Sequence, residues 1–544
     1  MSDWTGGYVS DVEYVAGFYR DQGPTNLDLA CLTCGVEPPR GLGEDAPFTY
    51  CEIGCGHATT IAALAAANPQ GHFVGVDFMP AHIARAERFR TQAGLDNLRL
   101  IEADVIALAD AADPGLPQFD YVTLHGVYSW VSPEVRAGIT RFLDRFVKPG
   151  GVVYVSYNAL PGWNQLTPAQ RLLFECARNV TGDSTERVRT AIGFVRRVLE
   201  AGSPAIHPEG FAALFAETAA KRLPEERVTY LAHEFLNACW QPMYHMDVAR
   251  DMAGAKLSFV GQANLIENFA GIGLTEPAKA LIEKQPEGAL RETMKDYFNG
   301  RAFRRDVYVR GRRALAPDQR DAKLKSVMLA LAARPPHERY ETEVLGSKIA
   351  LNPDVYQPIF AALDQGNADV EDLLNVAREA GGAPTAAEVV GMLSGLGMAM
   401  PILRDVTTEA VAACRHHNAT VAREAFRSTR QLRYALAVPV GHVGIVVSAL
   451  EIAVLDGLFS GVPAEVAPLT AFVLRRTGVA ADEVRSESRE AGAILPAPPV
   501  ASDDAGSDED DSNQPMGERV RRAVEGCLAE TLPYWRRLGL LDGT

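Results

Sequence analysis

Between residues 45 and 160 the chain alternates short, almost wholly apolar runs with helix-forming stretches, and this alternation constrains its fold more than any other feature. A strand covered on both faces carries no polar alternation. The segment ending at Ile53, then His72–Val76, Leu98–Ile101, Phe119–Leu124 and Gly150–Ser156 therefore read as strands of a parallel sheet with helices on both sides. In a doubly wound α/β sheet of this kind, ligands sit outside the carboxyl ends of the strands. The loops that follow the apolar runs are where chemistry is expected.

The first of these loops is the most informative. Tyr50 to His57 reads Tyr-Cys-Glu-Ile-Gly-Cys-Gly-His. Gly54 and Gly56 let the backbone approach a ligand, and the helix Thr59–Ala67 offers unpaired amides at its start. A dinucleotide site would space its glycines as G-x-G-x-x-G, yet Thr59 stands at the third position. Glu52 would repel a pyrophosphate and suits the ammonium group of an amino acid. That pairing points to S-adenosylmethionine. Asp77, ending the second strand, is placed to accept hydrogen bonds from both ribose hydroxyls. Asp104 is placed to take an adenine amino group, with small Ala103 leaving room for the ring.

In this order and spacing, Glu52-x-Gly54-x-Gly56, Asp77, Ala103-Asp104, Phe119-Asp120-Tyr121 and Lys148-Pro149-Gly150-Gly151 resemble the class I S-adenosylmethionine-dependent methyltransferases. Ala58 departs from that pattern, at a position often filled by a third glycine. Further motifs extend the likeness: His125-Gly126-Val127-Tyr128-Ser129-Trp130, Ser156-Tyr157-Asn158 through Trp163, His233-Glu234-Phe235-Leu236-Asn237, and Phe303 through Gly311. These look like bacterial methyltransferases carrying a methyltransferase regulatory domain, a family that includes protein-lysine methyltransferases of outer-membrane proteins. The resemblance implies a cofactor set of Glu52, Gly54, Cys55, Gly56, Asp77, Phe78, Ala103, Asp104, Val105, His125 and Gly126. It also implies an acceptor side built from His125, Tyr128, Trp130 and Asn158.

Methyl transfer is an in-line displacement at a sulfonium carbon, so the protein mainly holds the acceptor in line and excludes water. Tyr128, Trp130, Tyr157 and Trp163 are expected to line a pocket that lowers the pKa of a lysine amine by desolvation and holds its ammonium on π faces. His125 is either a proton acceptor, a group packed on the cofactor, or structural. Asn158 either orients an acceptor amine or caps the turn Ala159–Gly162. His233-Glu234 lacks a histidine at Asn237, which removes a zinc helix and leaves the pair tying its helix to the acceptor pocket or to itself. Cys31-x-x-Cys34 has no second ligand pair at metal spacing and reads as structural, so no metal is expected. A cofactor-binding regulatory protein without turnover and a small-molecule methyltransferase remain alternatives. Thr59 disfavours a nicotinamide oxidoreductase.

The expected organisation is an N-terminal helical cap (1–44), a Rossmann-like core with strands one to five (45–164), and a helical regulatory insertion over the acceptor side (165–253). Strands six and seven (254–312) then complete the sheet. The insertion's helices are placed at Pro168–Asn179, Glu186–Ala201, Glu209–Ala219 and Tyr244–Ala253. Leu257–Gly261 and Asp306–Arg310 read as the two late strands. A mostly helical C-terminal domain at winged-helix spacing (313–485) follows, with Asp321–Ala333 as its first helix. An acidic disordered linker (486–516) and a closing helix (517–544) end the chain. Aromatic residues before the first strand, Tyr8, Phe18 and Tyr19, either cover the cofactor or pack the first helix on the sheet.

A net charge of −16 argues against nucleic acid as the partner, leaving a protein or small-molecule methyl acceptor and the option of a homodimer. Met1–Ser10 lacks the charged and apolar regions of a secretory signal, so a cytoplasmic enzyme is expected. Tyr434–Phe459, the most apolar late segment, is interrupted by Pro439, His442, Glu451 and Asp456. It reads as a buried helix and not a membrane span.

Overall fold

The computed structural model describes residues 5–12, 17–43, 46–206, 225–333, 340–426, 433–477 and 516–541. Its centre is a seven-stranded sheet. The chain enters through helix α1 (Pro24–Thr33), with Pro24 at the first helical position where its missing N–H costs nothing. Then β1 (Phe48–Ile53), α2 (Thr59–Ala67), β2 (Gly71–Asp77), α3 (Pro80–Gln92), β3 (Leu98–Glu102), α4 (Val105–Asp110), β4 (Phe119–Leu124), α5 (Pro133–Phe146) and β5 (Val147–Asn158) alternate strictly. β6 (Leu257–Gln262) and β7 (Phe303–Arg310) follow much later.

The strand order is β3-β2-β1-β4-β5-β7-β6. The first five strands pair in parallel, and β7 runs antiparallel between β5 and β6. The order reverses between β1 and β4, so the carboxyl ends of those two strands flank the crevice where a ligand binds. One refinement concerns Lys148–Gly151, expected as a turn before the fifth strand. β5 already begins at Val147, bends at Gly150 (φ 82°) and shifts register against β4 there.

Between β5 and β6 the chain leaves the sheet as α6 (Thr167–Arg178), α7 (Ser184–Glu200) and the helices Glu225–Leu236 and His245–Gly254. The first three enclose a core of their own around Trp163, Leu173, Val188, Val195, Leu231 and Phe235. The helix expected over Glu209–Ala219 lies outside the described residues. So does the acidic linker as far as residue 515.

After β7 the structure is richer in strands than its sequence suggested. The expected helix Asp321–Ala333 is instead a helix Pro317–Lys325 followed by strand β8 (Met328–Leu331). β8 is the centre of an antiparallel sheet between β11 (Ala368–Asp369) and β12 (Ala399–Ile402), after a hairpin of β9 (Glu341–Val344) and β10 (Ser347–Ala350). Leu329, Ala330 and Leu331 are buried, and flanking strands on both sides supply their backbone partners.

Helices Pro353–Gln365, Val370–Glu379 and Ala386–Gly395 make up much of the helical part of this region. Tyr434–Phe459 is the second correction. Its first half is a hairpin of β13 (Arg433–Val438) and β14 (Val443–Ser448), and only Ala449–Phe459 is helical. Pro439 and Gly441 (φ 80°) turn the chain there. The closing helical segment from Met516 to Arg537 docks through Leu532, Trp535 and Leu538 onto this part. Among the described residues no helix is long and apolar enough to cross a membrane.

A buried ion pair joins the two halves of the molecule. Arg404 donates to Asp28 of α1 at 2.7 Å, both side chains being almost wholly buried, and the Tyr121 hydroxyl donates to the other Asp28 oxygen at 2.5 Å. Substituting Arg404→Met leaves a carboxylate without its cation. This should lower stability by about 3 kcal/mol, read as a fall in the urea midpoint at unchanged slope.

Candidate cofactor and acceptor site

The glycine turn is built by Asp77. One oxygen of its carboxylate accepts the Gly56 N–H at 2.8 Å, and the other accepts the Met79 N–H at 2.9 Å with the His82 ring at 3.3 Å. The Gly54 and Cys55 amides both donate to the Val76 carbonyl. The two glycines have different reasons. A β-carbon at Gly54 (φ 74°) would overlap a Val127 methyl, so that glycine makes room for the loop after β4. At Gly56 (φ 53°) a β-carbon would meet open space, so this is where the backbone is free to face a ligand. Ala58, the departure from the family pattern, is itself left-handed (φ 58°).

Glu52 is 5% exposed, and its Oε2 has no hydrogen-bond partner among the described residues. Neither do the side-chain atoms of Gln22, which lies beside it. Burial pushes the Glu52 carboxyl up to about 8; nearby Gln22 pulls it back and the Asp77 charge pushes it further. A buried carboxylate and a buried amide with unmet polar atoms are what an amino-acid ammonium would complete. The residues present thus fit the methionyl end of S-adenosylmethionine.

The remaining expected cofactor residues fall around this turn in different ways. Phe78 is exposed and meets the Tyr8 ring edge-on at 5.5 Å. The Ala103 N–H donates to the Asp77 carbonyl. Asp104 caps α4 by accepting the Ile106 N–H at 2.7 Å. The Val105 side chain is buried in the core, so only its backbone can face a ligand. Gly126 donates its N–H to the Ser156 hydroxyl at 2.9 Å.

Four successive residues that sequence reasoning treated only in part close the near side. Tyr19 stacks on His125 with ring centroids 3.5 Å apart. Arg20 donates to the Gly395 carbonyl, Asp21 accepts from Arg305 at 2.9 Å, and Gln22 reaches Glu52. Their signal was the polar run Tyr-Arg-Asp-Gln before Gly23 and the helix-starting Pro24, which reads equally well as a solvated loop.

On the acceptor side, His125 lies between Tyr19 and Tyr154, its Nδ1 2.8 Å from the Tyr154 hydroxyl. Burial, then the Arg305 cation, hold the imidazole well below its usual range, so it is neutral. Two residues expected to line the acceptor pocket do not. Tyr128 is fully buried in the core beneath the sheet and donates its hydroxyl to Asp251 at 2.9 Å. Tyr157 is likewise buried, donating to Asp306 at 2.7 Å. Each sits among apolar neighbours with one carboxylate taking its hydroxyl, which is how a buried tyrosine is satisfied.

Trp130 is half-buried in the loop after β4. Trp163 is buried against Phe235 and Trp240. Asn158 neither caps the following turn nor stands free, because its amide donates to Glu234 at 2.9 Å. Cys31 is in the core and Cys34 half-buried at the end of α1, in keeping with a structural pair.

The strand order, the glycine turn and the acid ending β2 together define a class I methyltransferase. Residues 51–153 match the family model of a methyltransferase domain, and residues 227–310 match that of a predicted methyltransferase regulatory domain. An uncharacterised protein of Synechocystis is 30% identical over 456 residues, covering 82% of this chain and 87% of that protein. An uncharacterised protein of Rickettsia prowazekii is 30% identical over 34% of this chain and 71% of its own length. PKMT2 from Rickettsia typhi, solved in complex with AdoHcy, superposes with a TM-score of 0.64 at 18% identity, over 97% of this chain and all of that one. The chain belongs to the S-adenosylmethionine-dependent methyltransferases that carry a methyltransferase regulatory domain. The regulatory match runs from within the helix Glu225–Leu236 to the end of β7, so it includes two strands of the sheet itself.

Two outcomes follow from the site. In the free protein the native state keeps a proton on Glu52 that the unfolded chain has already released. Glu52 therefore costs stability as pH rises from the ordinary carboxylate range through about 8. Binding of S-adenosylmethionine at neutral pH should reverse this by ionising Glu52, releasing close to one proton. Calorimetry in buffers of different ionisation enthalpy should detect that release, and Glu52→Gln should abolish it. Tyr128→Phe, by contrast, removes a core hydrogen bond. It should cost about 1 kcal/mol of stability and leave turnover unchanged, whereas an acceptor-facing hydroxyl would show itself in turnover.

Proposed function

We propose that the methyl group goes to a lysine amine of a protein. The chain is an S-adenosylmethionine-dependent methyltransferase, and the bound cofactor supplies an electrophilic methyl carbon on sulfur. What supports a lysine acceptor is the run of aromatic rings between the glycine turn and the helix Glu225–Leu236. Tyr19 stacks on His125, Tyr154 bonds to it, and Tyr8 lies 5.5 Å from Phe78 and 5.6 Å from His233. Rings of this kind take the methylene stem of a lysine on their faces and attract its ammonium. Loss of water around the amine then favours the neutral form that must attack. The fold likeness to PKMT2, a protein lysine methyltransferase, agrees with this reading.

The protein's own residues bind, orient and exclude water. Glu52 and Gln22 hold the amino-acid end of the cofactor, and Asp77 keeps the turn in shape. Neutral His125 packs at the sheet end, and no covalent nucleophile is required. Incubating the full chain with methyl-labelled S-adenosylmethionine and fractionated cell extract should place label in protein, stable to base and recovered as methyl-lysine after hydrolysis. Label confined to small molecules, or lost from protein on base treatment, would remove the lysine reading.

A further inference from the structure

Glu234 is a buried carboxylate in the helix Glu225–Leu236, at the carboxyl end of β5. Its Oε1 accepts the Asn158 amide at 2.9 Å and its Oε2 faces the Tyr230 hydroxyl at 3.4 Å. Trp240 lies close to it, and Arg227 is the cation that reaches it through space. The Arg227 guanidinium itself lies over the Tyr230 ring, 5.3 Å from its centroid. Among the described residues no lysine, arginine or histidine forms an ion pair with Glu234. Its hydrogen-bond donors, Asn158 and Tyr230, are both neutral, and a carboxylate buried without an ion pair is costly. A cationic group brought to it would offset that cost.

Two connections tie this carboxylate to the reacting face. Asn158 is the last residue of β5, and its backbone N–H donates to the Ser129 hydroxyl on the loop after β4 at 2.8 Å. His233, the residue before Glu234, lies with its ring 5.6 Å from that of Tyr8, which in turn meets Phe78 at 5.5 Å. Glu234 thus stands next to His233, at the end of the run Phe78, Tyr8 and His233. A lysine stem lying along those rings would bring its ammonium toward it.

We propose that Glu234 receives the acceptor amine, binding the lysine ammonium and taking the proton that nitrogen must lose. This rests on the lysine reading above and deepens it. The ammonium gives one proton to the Glu234 carboxylate, leaving a neutral amine and a carboxylic acid. The nitrogen lone pair then forms the N–C bond while the electron pair of the C–S bond leaves with sulfur, so positive charge passes from sulfur to nitrogen. The methylammonium product departs, and Glu234 gives its proton to solvent. Burial raises the Glu234 carboxyl above the usual carboxylate range, and Asn158, Trp240, Tyr230 and Arg227 oppose that rise.

The test compares the full-length protein with E234Q, which preserves shape and the Asn158 contact, and with Tyr230→Phe. Three readouts apply: S-adenosylmethionine affinity, the pH profile of kcat/KM for label transfer to lysine, and inhibition by n-butylammonium as a lysine-side-chain probe. E234Q should bind cofactor as the wild type does and lose about 100-fold in kcat/KM. It should also lose the acidic limb of the profile and become insensitive to n-butylammonium. Tyr230→Phe should keep the limb and shift it. Lysine labelling by E234Q at near wild-type rate, or an unchanged acidic limb, overturns the role of Glu234 while the lysine reading stands. Loss of cofactor binding in E234Q also overturns it, by showing that Glu234 acts through the fold. Absence of lysine labelling by the wild type sinks the lysine reading itself.

Discussion

The cofactor site depends on a division between two buried carboxylates at the ends of neighbouring strands. Asp77 is fully engaged, and its oxygens take two backbone N–H groups and a histidine, which fixes the glycine turn before any ligand arrives. Glu52, one strand away, is deprived of a fixed partner, and burial holds its carboxyl near 8. A carboxylate left in that state is unfavourable until a cation completes it. On the proposed reading, an acid that gives up its proton only when a cation arrives favours an amino-acid ammonium over a phosphate, while Asp77 holds the turn.

The segment from Tyr19 to Gln22 transmits this arrangement to the rest of the molecule. Its four residues grip His125, the carbonyl of Gly395, Arg305 of β7 and the vicinity of Glu52 in turn. The C-terminal half therefore touches the cofactor site through the backbone end of one of its helices, and again through Arg404 on Asp28. A shift of the C-terminal half would move Arg20, and with it Gln22 two residues on. The C-terminal half is part of the frame that positions the near side of the site.

The sheet was legible because its strands are buried on both faces, and an apolar run of five or six residues between helix signals has few alternatives. Glu52, Asp77 and the glycines were legible for a related reason: residue types that are costly in a core stand at strand ends, where only a ligand or a turn explains them. Tyr128 and Tyr157 misled because an aromatic residue with a hydroxyl looks the same in sequence whether its partner is a substrate or a distant carboxylate. Asp251 and Asp306, lying 123 and 149 residues away, decide the matter. β8 and β13 were read as helix because Ala, Leu and Val runs carry no period that separates a buried strand from a buried helix. The partners of β8 lie in segments that local reading does not join to it, whereas β13 pairs with β14 across the turn at Pro439 and Gly441.

The regulatory region is better understood from Asp306 than from its label. That carboxylate takes bonds from Arg304, His245, Gln262, Tyr157 and Tyr308, all buried. Burial alone would raise it, but Arg304 and His245 overcome that and hold it far below the usual carboxylate range. Arg304 in turn is shared with Asp296 of the helix Ala289–Asn299. The cluster therefore fastens three parts together: β5 through Tyr157, the helix His245–Gly254 through His245, and the helix before β7 through Asp296. Breaking a buried network of this kind leaves uncompensated charge, so it opens as a unit or not at all. A region welded into the sheet in this way has little freedom to act as a movable regulator. In the reading proposed above, the acceptor is met outside this cluster, by the helix bearing Glu234, itself packed on α6 and α7 through Leu231 and Phe235.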